Sequence, residues 1–558
     1  MLTLLHKRMT QTLYPVLLSF IIFLAAFLRF YHISVNPPSL NWDEVAFGYN
    51  AYSVLLTGKD EYGHFLPLYF QSLDDYKLPV YTYLTVISVK FFGLSTFAVR
   101  LPSALFGTAM VLVIYLLAKE LSRNQVVSLL SAFFLAVLPW HIQFSRMALE
   151  GNVGLFFTSL GVLVFLWGVK KNVWWFLFSS IFFGFSQYTY LSQRIVVPFL
   201  LAVLVLLYEK TLYKTLMSKK IVAIVILLLS SIIMVLFFVS LTIDSTKTQG
   251  QIRFKATSVF NEFEPYHQTE EEMKYDGKLG INLTRRILHD YPYLTSLGLV
   301  TRGYLTHFAP DFLFFDLRQV HHQAPGVGIV YLYFLPFLFI GAYFLVRKAD
   351  TEAKTILFSW LFLAPLPASL TSEVPHALRA VAMITPIVII FAYGAHIFFT
   401  SIWNVNKILF YLLSSFGIGV VVFSFVYFFH QYHVHMPHER SEDWVYGRKE
   451  VVEFVESHKK EYDKIIVSTR LEWPHIFFLF YGKYDPRKYL SEGGTVSGGF
   501  AEEKNKFDIY EFHKFNYLKD SSKGKVLFVG KPEEFSEYVI PVYASYYLDG
   551  KPAVYVVK

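Results

Sequence analysis

The chain of 558 residues contains no cysteine, so disulfides, zinc–thiolate sites and thiol nucleophiles are excluded. Charge is scarce as well. Asp, Glu, Lys and Arg make up 16% of the chain, against about 25% in ordinary soluble domains. No Gly-rich phosphate loop, internal repeat or heptad pattern is present, which leaves nucleotide-loop enzymes, solenoids and coiled coils without support. What is abundant is apolar and aromatic: 54% hydrophobic, 19% aromatic, mean hydropathy +0.42. This is a membrane protein with a soluble part. The net charge of +8 does not point to nucleic acid, because much of the basic excess sits in short loops between apolar segments.

Lys7 and Arg8 precede about 20 apolar residues with no small-residue cleavage site. A retained first helix over about 13–33 is expected, with its N-terminus cytoplasmic. Further apolar segments lie near 79–93, 99–119, 126–143, 150–169, 173–190, 194–209, 220–241, 328–346, 355–371, 379–400 and 407–429. The basic loops at 118–124, 169–172, 209–220 and 346–354 are cytoplasmic by the positive-inside rule. The external side then receives 144–149, 190–194, 372–378 and everything after 430. Two long external loops complete that side, 35–78 and 242–327. Parity closes if 79–93, which contains Lys90, is a partial or interfacial helix, leaving eleven full spans. An additional span within 291–315 closes it equally well. The expected fold is an α-helical polytopic membrane protein of about 11–13 transmembrane helices over 1–430, followed by a small α/β domain over 431–558. In that domain, 447–470 reads as an amphipathic helix then a strand. "IFFLFYGKYDP" reads as a strand or a buried helix, "KVLFVGKPEEF" and "PAVYVVK" as strands, and 492–500 as a flexible loop.

The stretch "NPPSLNWDEVAFGYNAY" (36–52) places Asp43 and Glu44 side by side where the chain leaves the first helix. Asn41 or Ser39 can cap a helix there, and acids suit its first turn. Neighbours on a helix point about 100° apart, so one acid can face a cavity while the other is held by a cation or an amide. The plain alternative is a pair of helix-start acids on a wet loop. On the same expected face lie Arg29, Lys77, Arg146, Arg194, His376 and Arg379. Any one of them alone reads as an interface anchor. A set converging on a carboxylate would hold an anionic headgroup. Such a set suits displacement of a lipid phosphate from a sugar's anomeric carbon. Cations receive the growing charge and one carboxylate takes the acceptor's proton.

These stretches resemble the multi-spanning GT-C glycosyltransferases, specifically the protein O-mannosyltransferase and aminoarabinose-transferase-like branch. The likeness rests on "PPSLNWDEVAFGYNA", "KLPVYTYLTVISVKFFGLSTFAVRLPSALFG", "FSRMALEGNVGLFF", "HFAPDFLFF" and "PHALRAVAMITP", and spans about 1–430. It implies a polyprenyl- or dolichyl-phosphate sugar donor and inverting transfer at the external face. The acceptor is a hydroxyl or amine of a protein, lipid or glycan. The resemblance implies Asp43 as base; Glu44, its neighbour on the helix, then reads as a helper fixing Arg29 or a backbone amide. The resemblance implies Lys77 and Arg100 at the lipid phosphate, although "KLP" stands where relatives often have "KPP". No cofactor is implied by this branch. Oligosaccharyltransferase relatives use a divalent cation, and His321, His322, Asp311 and Asp316 are the residues that could hold one, against a reading as plain loop residues. The competing classes are a polytopic transporter and a non-catalytic sugar- or lipid-binding scaffold.

Overall fold

The computed structural model describes residues 2–73, 75–217, 221–246, 258–261, 263–280, 288, 293–317, 319–497, 502–520 and 524–558. A helix occupies every apolar segment expected from the sequence. They are α1 (Leu2–Phe30), α2 (Trp42–Thr57), α3 (Pro79–Phe92), α4 (Thr96–Ser122), α5 (Gln125–Val137), α6 (Pro139–Ser145), α7 (Glu150–Lys170), α8 (Trp175–Gln187), α9 (Gln193–Leu207), α10 (Glu209–Met217) and α11 (Ile221–Thr246). After the loop helices α12 (Phe263–Leu279) and α13 (Tyr293–Thr306) come α14 (Phe334–Lys348), α15 (Thr351–Leu363), α16 (Ile384–Val405) and α17 (Lys407–His430). Among the described residues, 5 helices are long and apolar enough to cross a bilayer, or 7 if α5–α6 and α9–α10 each count as one bent span. The other apolar helices are shorter. The 14 residues of α3 reach about 21 Å, less than the ~30 Å hydrocarbon core, which suits the partial helix expected at 79–93. In 291–315 the helix is again only 14 residues, because Pro310 starts a separate short helix. The last membrane helix continues past 430 through a π-turn to Glu439. On α17, Ile408, Leu412, Phe416 and Phe423 are exposed, as a lipid-facing helix requires.

Three of the basic loops meet at one end of the bundle. Lys170 bridges Glu120 and Glu352, both at 3.3 Å, and Arg123 lies 3.5 Å from Asp350. Arg100 and Glu120 sit near opposite ends of α4, about 30 Å apart along the helix. The region around Asp43 and Glu44 therefore occupies the end of the bundle opposite the basic loops.

The C-terminal part sits at that same end. It holds α18 (Arg448–His458), β3 (Lys464–Val467), α19 (Pro474–Tyr481), α20 (Pro486–Ser491), β4 (Lys506–Phe507), β5 (Tyr510–Phe512), β6 (Val526–Gly530), β7 (Tyr543–Tyr546) and β8 (Pro552–Val557). The sheet order is β4-β5-β3-β6-β8-β7, parallel across β5-β3-β6 and antiparallel at both flanks. The run "IFFLFY" is the buried helix α19, not a strand. Pro474 opens that helix, and its apolar residues find burial all round, so no alternation was available to signal its period. Residues 498–500 of the expected loop 492–500 lie outside the described residues.

The two parts share one core, in which α2 is the middle layer. A Cβ added at Gly48 would lie 2.3 Å from the Phe480 ring on α19 and 2.7 Å from Val99 on α4. Tyr49 donates its hydroxyl hydrogen to the Tyr484 carbonyl. Beyond α2, the buried Glu61 carboxylate accepts from Asn50 Nδ2 and Thr495 Oγ1, each at 2.8 Å. The Thr495 amide donates to the Glu61 carbonyl at 2.9 Å. Burial pushes the Glu61 carboxyl up from 4.5 to about 7, against the opposing pull of the Thr495 and Asn50 hydrogen bonds.

Gly48→Ala should lower stability by about 1–3 kcal/mol through overpacking, read as a fall in melting temperature of the solubilised protein; an unchanged melting temperature contradicts the close approach. A second expectation concerns pH. Because Glu61 keeps its proton longer folded than unfolded, its contribution is fully present below about 4.5 and is lost as pH rises through about 7. Melting curves at pH 5 and pH 8 should show wild-type stability falling by up to about 3 kcal/mol. Glu61→Gln should flatten that slope, and equal slopes in the two proteins would remove Glu61 as its cause.

Candidate active site

The site is built from the first turn of α2. Asn41, not Ser39, caps that helix: its Oδ1 accepts from the Glu44 amide at 2.9 Å, and its own amide donates back to Glu44 Oε2 at 3.2 Å. The Glu44 side chain is almost fully buried and receives Arg100 through two bonds, Nε to Oε1 at 2.9 Å and Nη2 to Oε2 at 3.0 Å. The Ala148 amide donates to the same carboxylate at 2.8 Å. Arg100 also donates to the carbonyls of Ile33 and Pro37 through Nη1 and to that of Ser39 through Nη2. All five of its N–H groups are used. Of the two partners expected for Glu44, a backbone amide is present and Arg29 is not: Glu44 holds the Ala148 amide and Arg100, and Arg100 is occupied in holding the chain from α1 into α2. The role at a lipid phosphate implied for Arg100 has no free donor behind it.

Asp43 points elsewhere, as adjacent helix positions must. Its Oδ1 lies 3.0 Å from Lys77 Nζ, and 37% of its side chain is accessible against 8% for Lys77. Lys77 ends β2 (Asp75–Lys77), which pairs antiparallel with β1 (Phe70–Ser72), and it also contacts Asp75 at 3.2 Å. Asp75 escaped the sequence reading, although it stands two residues from Lys77 in "DYK". Arg194 at the start of α9 reaches the same hairpin. Its Nη2 donates to the Tyr69 hydroxyl at 3.0 Å and its Nε to the Gln187 carbonyl at 3.2 Å. The guanidinium lies over the Tyr69 ring at 5.5 Å. The Val80 amide donates to the Tyr188 carbonyl, tying α3 to the same corner.

The remaining expected cations do not join this cluster. Arg29 is buried among the carbonyls of Ala25, Leu135 and Ala136, with His141 Nδ1 at 2.6 Å. Arg146 donates to the carbonyls of Leu28 and Asn36 and to the Tyr432 hydroxyl. Arg379 donates to Thr371 Oγ1 at 2.7 Å and to Glu373 at 3.0 Å. His376 belongs to that second corner: its Nδ1 accepts from the Arg379 amide, its own amide donates to His307 Nε2, and His322 packs at 4.9 Å. Burial pushes His322 down to about 3, so it carries no charge at neutral pH. His321 meets the Asp443 carbonyl, Asp316 accepts from the Gly326 amide, and Asp311 is exposed in the first turn of the short helix Pro310–Phe314. Among the described residues no three His, Asp or Glu side chains come together as a metal site. One feature of the site was missed in the sequence. The Trp42 indole, beside Asp43, packs against Trp473 at 5.2 Å and His321 at 5.9 Å, forming an aromatic wall from three distant segments.

Residues 19–247 match the family model described as dolichyl-phosphate-mannose-protein mannosyltransferase. The fold is similar over 98% of the chain to ArnT from Cupriavidus metallidurans bound to undecaprenyl phosphate, covering 97% of that protein at 12% identity and a TM-score of 0.53. The chain has the fold of ArnT, and its first half is similar to the mannosyltransferase family. The chain is also similar, at 12% identity and a TM-score of 0.47, to the Archaeoglobus fulgidus oligosaccharyltransferase in complex with Zn and sulfate, covering 92% of this chain and 68% of that one. No curated protein sequence matches it.

The two acids of this site should separate cleanly in stability. Glu44→Gln leaves Arg100 buried without its counter-charge and should cost about 3–5 kcal/mol. Asp43→Asn breaks only a part-exposed pair and should cost about 0–1 kcal/mol. Melting curves of the two variants would contradict this division if they coincide.

Proposed function

We propose that the protein is a membrane glycosyltransferase of the GT-C type and moves a sugar from a polyprenyl-phosphate-linked donor to an acceptor hydroxyl or amine of a protein, lipid or glycan, with inversion at the sugar. The reaction takes place at the end of the bundle opposite the basic loops, which is the external face by the positive-inside rule. One observation carries this reading: a part-exposed carboxylate, Asp43, stands 3.0 Å from the ammonium of Lys77 while its neighbour Glu44 is buried and spent.

In the reaction, the acceptor oxygen or nitrogen attacks the anomeric carbon and a new bond to that carbon forms. The bond from the anomeric carbon to the phosphate oxygen breaks, and its electron pair leaves with the polyprenyl phosphate. Asp43 takes the proton from the acceptor. Lys77 receives the charge growing on the phosphate, and Arg194 supports it from the start of α9, against Tyr69 beside the other strand of the hairpin. A phosphate that takes Lys77 also releases Asp43 from its ion pair, so donor binding readies the base. The donor's other requirement, a lipid-exposed surface, is met by α3, which follows Lys77 and exposes Ile87, Phe91 and Phe92.

Asp43→Asn should lower transfer by about 10²–10⁴-fold while donor binding persists, measured as product formed from a radiolabelled polyprenyl-phosphate sugar in proteoliposomes. Lys77→Met should weaken donor affinity by about 10–100-fold, the scale of one charge-assisted hydrogen bond. Wild-type turnover by Asp43→Asn would refute the assignment of the base.

A further inference from the structure

A cleft of about 460 Å³ opens between the α2 end of the bundle and the C-terminal sheet. Trp42 and His321 come from the membrane part, and Glu442, Tyr446, Arg448 and Glu472 from the C-terminal part. We propose that this cleft is the acceptor site and that it takes a neutral sugar unit, so that the acceptor is a glycan; this rests on the transfer reaction proposed above.

Position is the first argument. Trp42 lines the cleft and directly precedes Asp43 on the first turn of α2. The Asp43 carboxylate is held by Lys77, from a hairpin that does not line the cleft. A donor phosphate at Lys77 and an acceptor beside Trp42 would thus meet at Asp43 from different directions, as displacement with inversion requires.

The chemistry of the lining is the second argument. Glu442, Tyr446, Glu472 and Tyr547 make no side-chain hydrogen bond among the described residues, and all four line the cleft. Arg448 gives Nη1 to the Glu472 carbonyl at 2.8 Å and has no carboxylate partner among the described residues. Sugar hydroxyls both donate and accept, so carboxylates, phenols and a guanidinium in one cavity serve them together. The indole of Trp42 offers an apolar face for the C–H side of a sugar ring. The charges are mixed. Glu442, Asp443 and Glu472 oppose an anionic acceptor, and Arg448 and Lys531 oppose a cationic one. Peptide recognition through strand addition would require a free sheet edge in the cleft, and the strand residues lining it, Ala553 and Val554, belong to β8, which is paired on both sides by β6 and β7.

The absence of cysteine makes the test direct. Glu442→Cys and, separately, Glu472→Cys place one thiol in the cleft at exposed positions, and Glu537→Cys places one at an exposed position outside it. Maleimide labelling of the full-length protein is followed with mannobiose, chitobiose or maltotriose added, or with a Ser/Thr-rich peptide. A neutral oligosaccharide near saturation should slow labelling in the cleft about tenfold and leave Glu537→Cys unaffected. Protection by the peptide alone, or by none of these probes, overturns the proposal. The readout needs no turnover, so its failure is distinct from a failure of Asp43 as base, which the Asp43→Asn transfer assay reports.

Discussion

Arg100 brings a charge and five N–H donors into a place from which water is excluded, and each donor has a fixed destination. Two go to Glu44 and three to the carbonyls of Ile33, Pro37 and Ser39. The consequence is geometric. The chain leaving the first helix cannot adjust without stranding a buried cation, so the cap at Asn41 and the first turn of α2 are held in one orientation. A buried ion pair is weak evidence for net stability, because desolvation opposes the attraction. Its value here is positional: with Glu44 turned inward and locked, Asp43 must face the ledge where Lys77 waits. Arg146 repeats the device one step earlier, on the carbonyls of Leu28 and Asn36.

The same helix joins the two halves of the molecule. Its Gly48 admits the Phe480 ring, its Tyr49 reaches Tyr484, and its Asn50 holds Glu61 against Thr495. The C-terminal sheet is therefore seated on the element that carries the candidate base. The cleft beside Trp42 is formed by both halves.

Much of this was legible in the residues. The Asp43–Glu44 pair, its helix and Lys77 were marked by local signals: a cap, first-turn acids and a lone cation before an apolar run. The small α/β domain was visible from its alternating strand and helix patterns. The roles of Arg29, Arg100 and Arg146 were not visible. A cation at a helix end looks the same in sequence whether it faces a cavity or a ring of backbone carbonyls, and those carbonyls leave no trace in residue type. Helix lengths were overestimated for a related reason. Apolar character in 173–190 or 355–371 continues past the helix ends into buried turns, so hydropathy ran longer than the 13-residue helices beneath it. The aromatic wall of Trp42, His321 and Trp473 draws on three segments far apart in the chain, and no local pattern announces it.

If Asp43 and Lys77 form the reacting edge of a lipid-phosphate site, a bound polyprenyl phosphate must be found there. A cryo-EM structure of the protein in a lipid nanodisc with polyprenyl phosphate tests it most directly. The account predicts phosphate oxygens within hydrogen-bonding distance of Lys77, with the Asp43 carboxylate released and facing the space beside Trp42. Density for the phosphate at the His376–Arg379 corner, with the Asp43–Lys77 pair still closed, would contradict it.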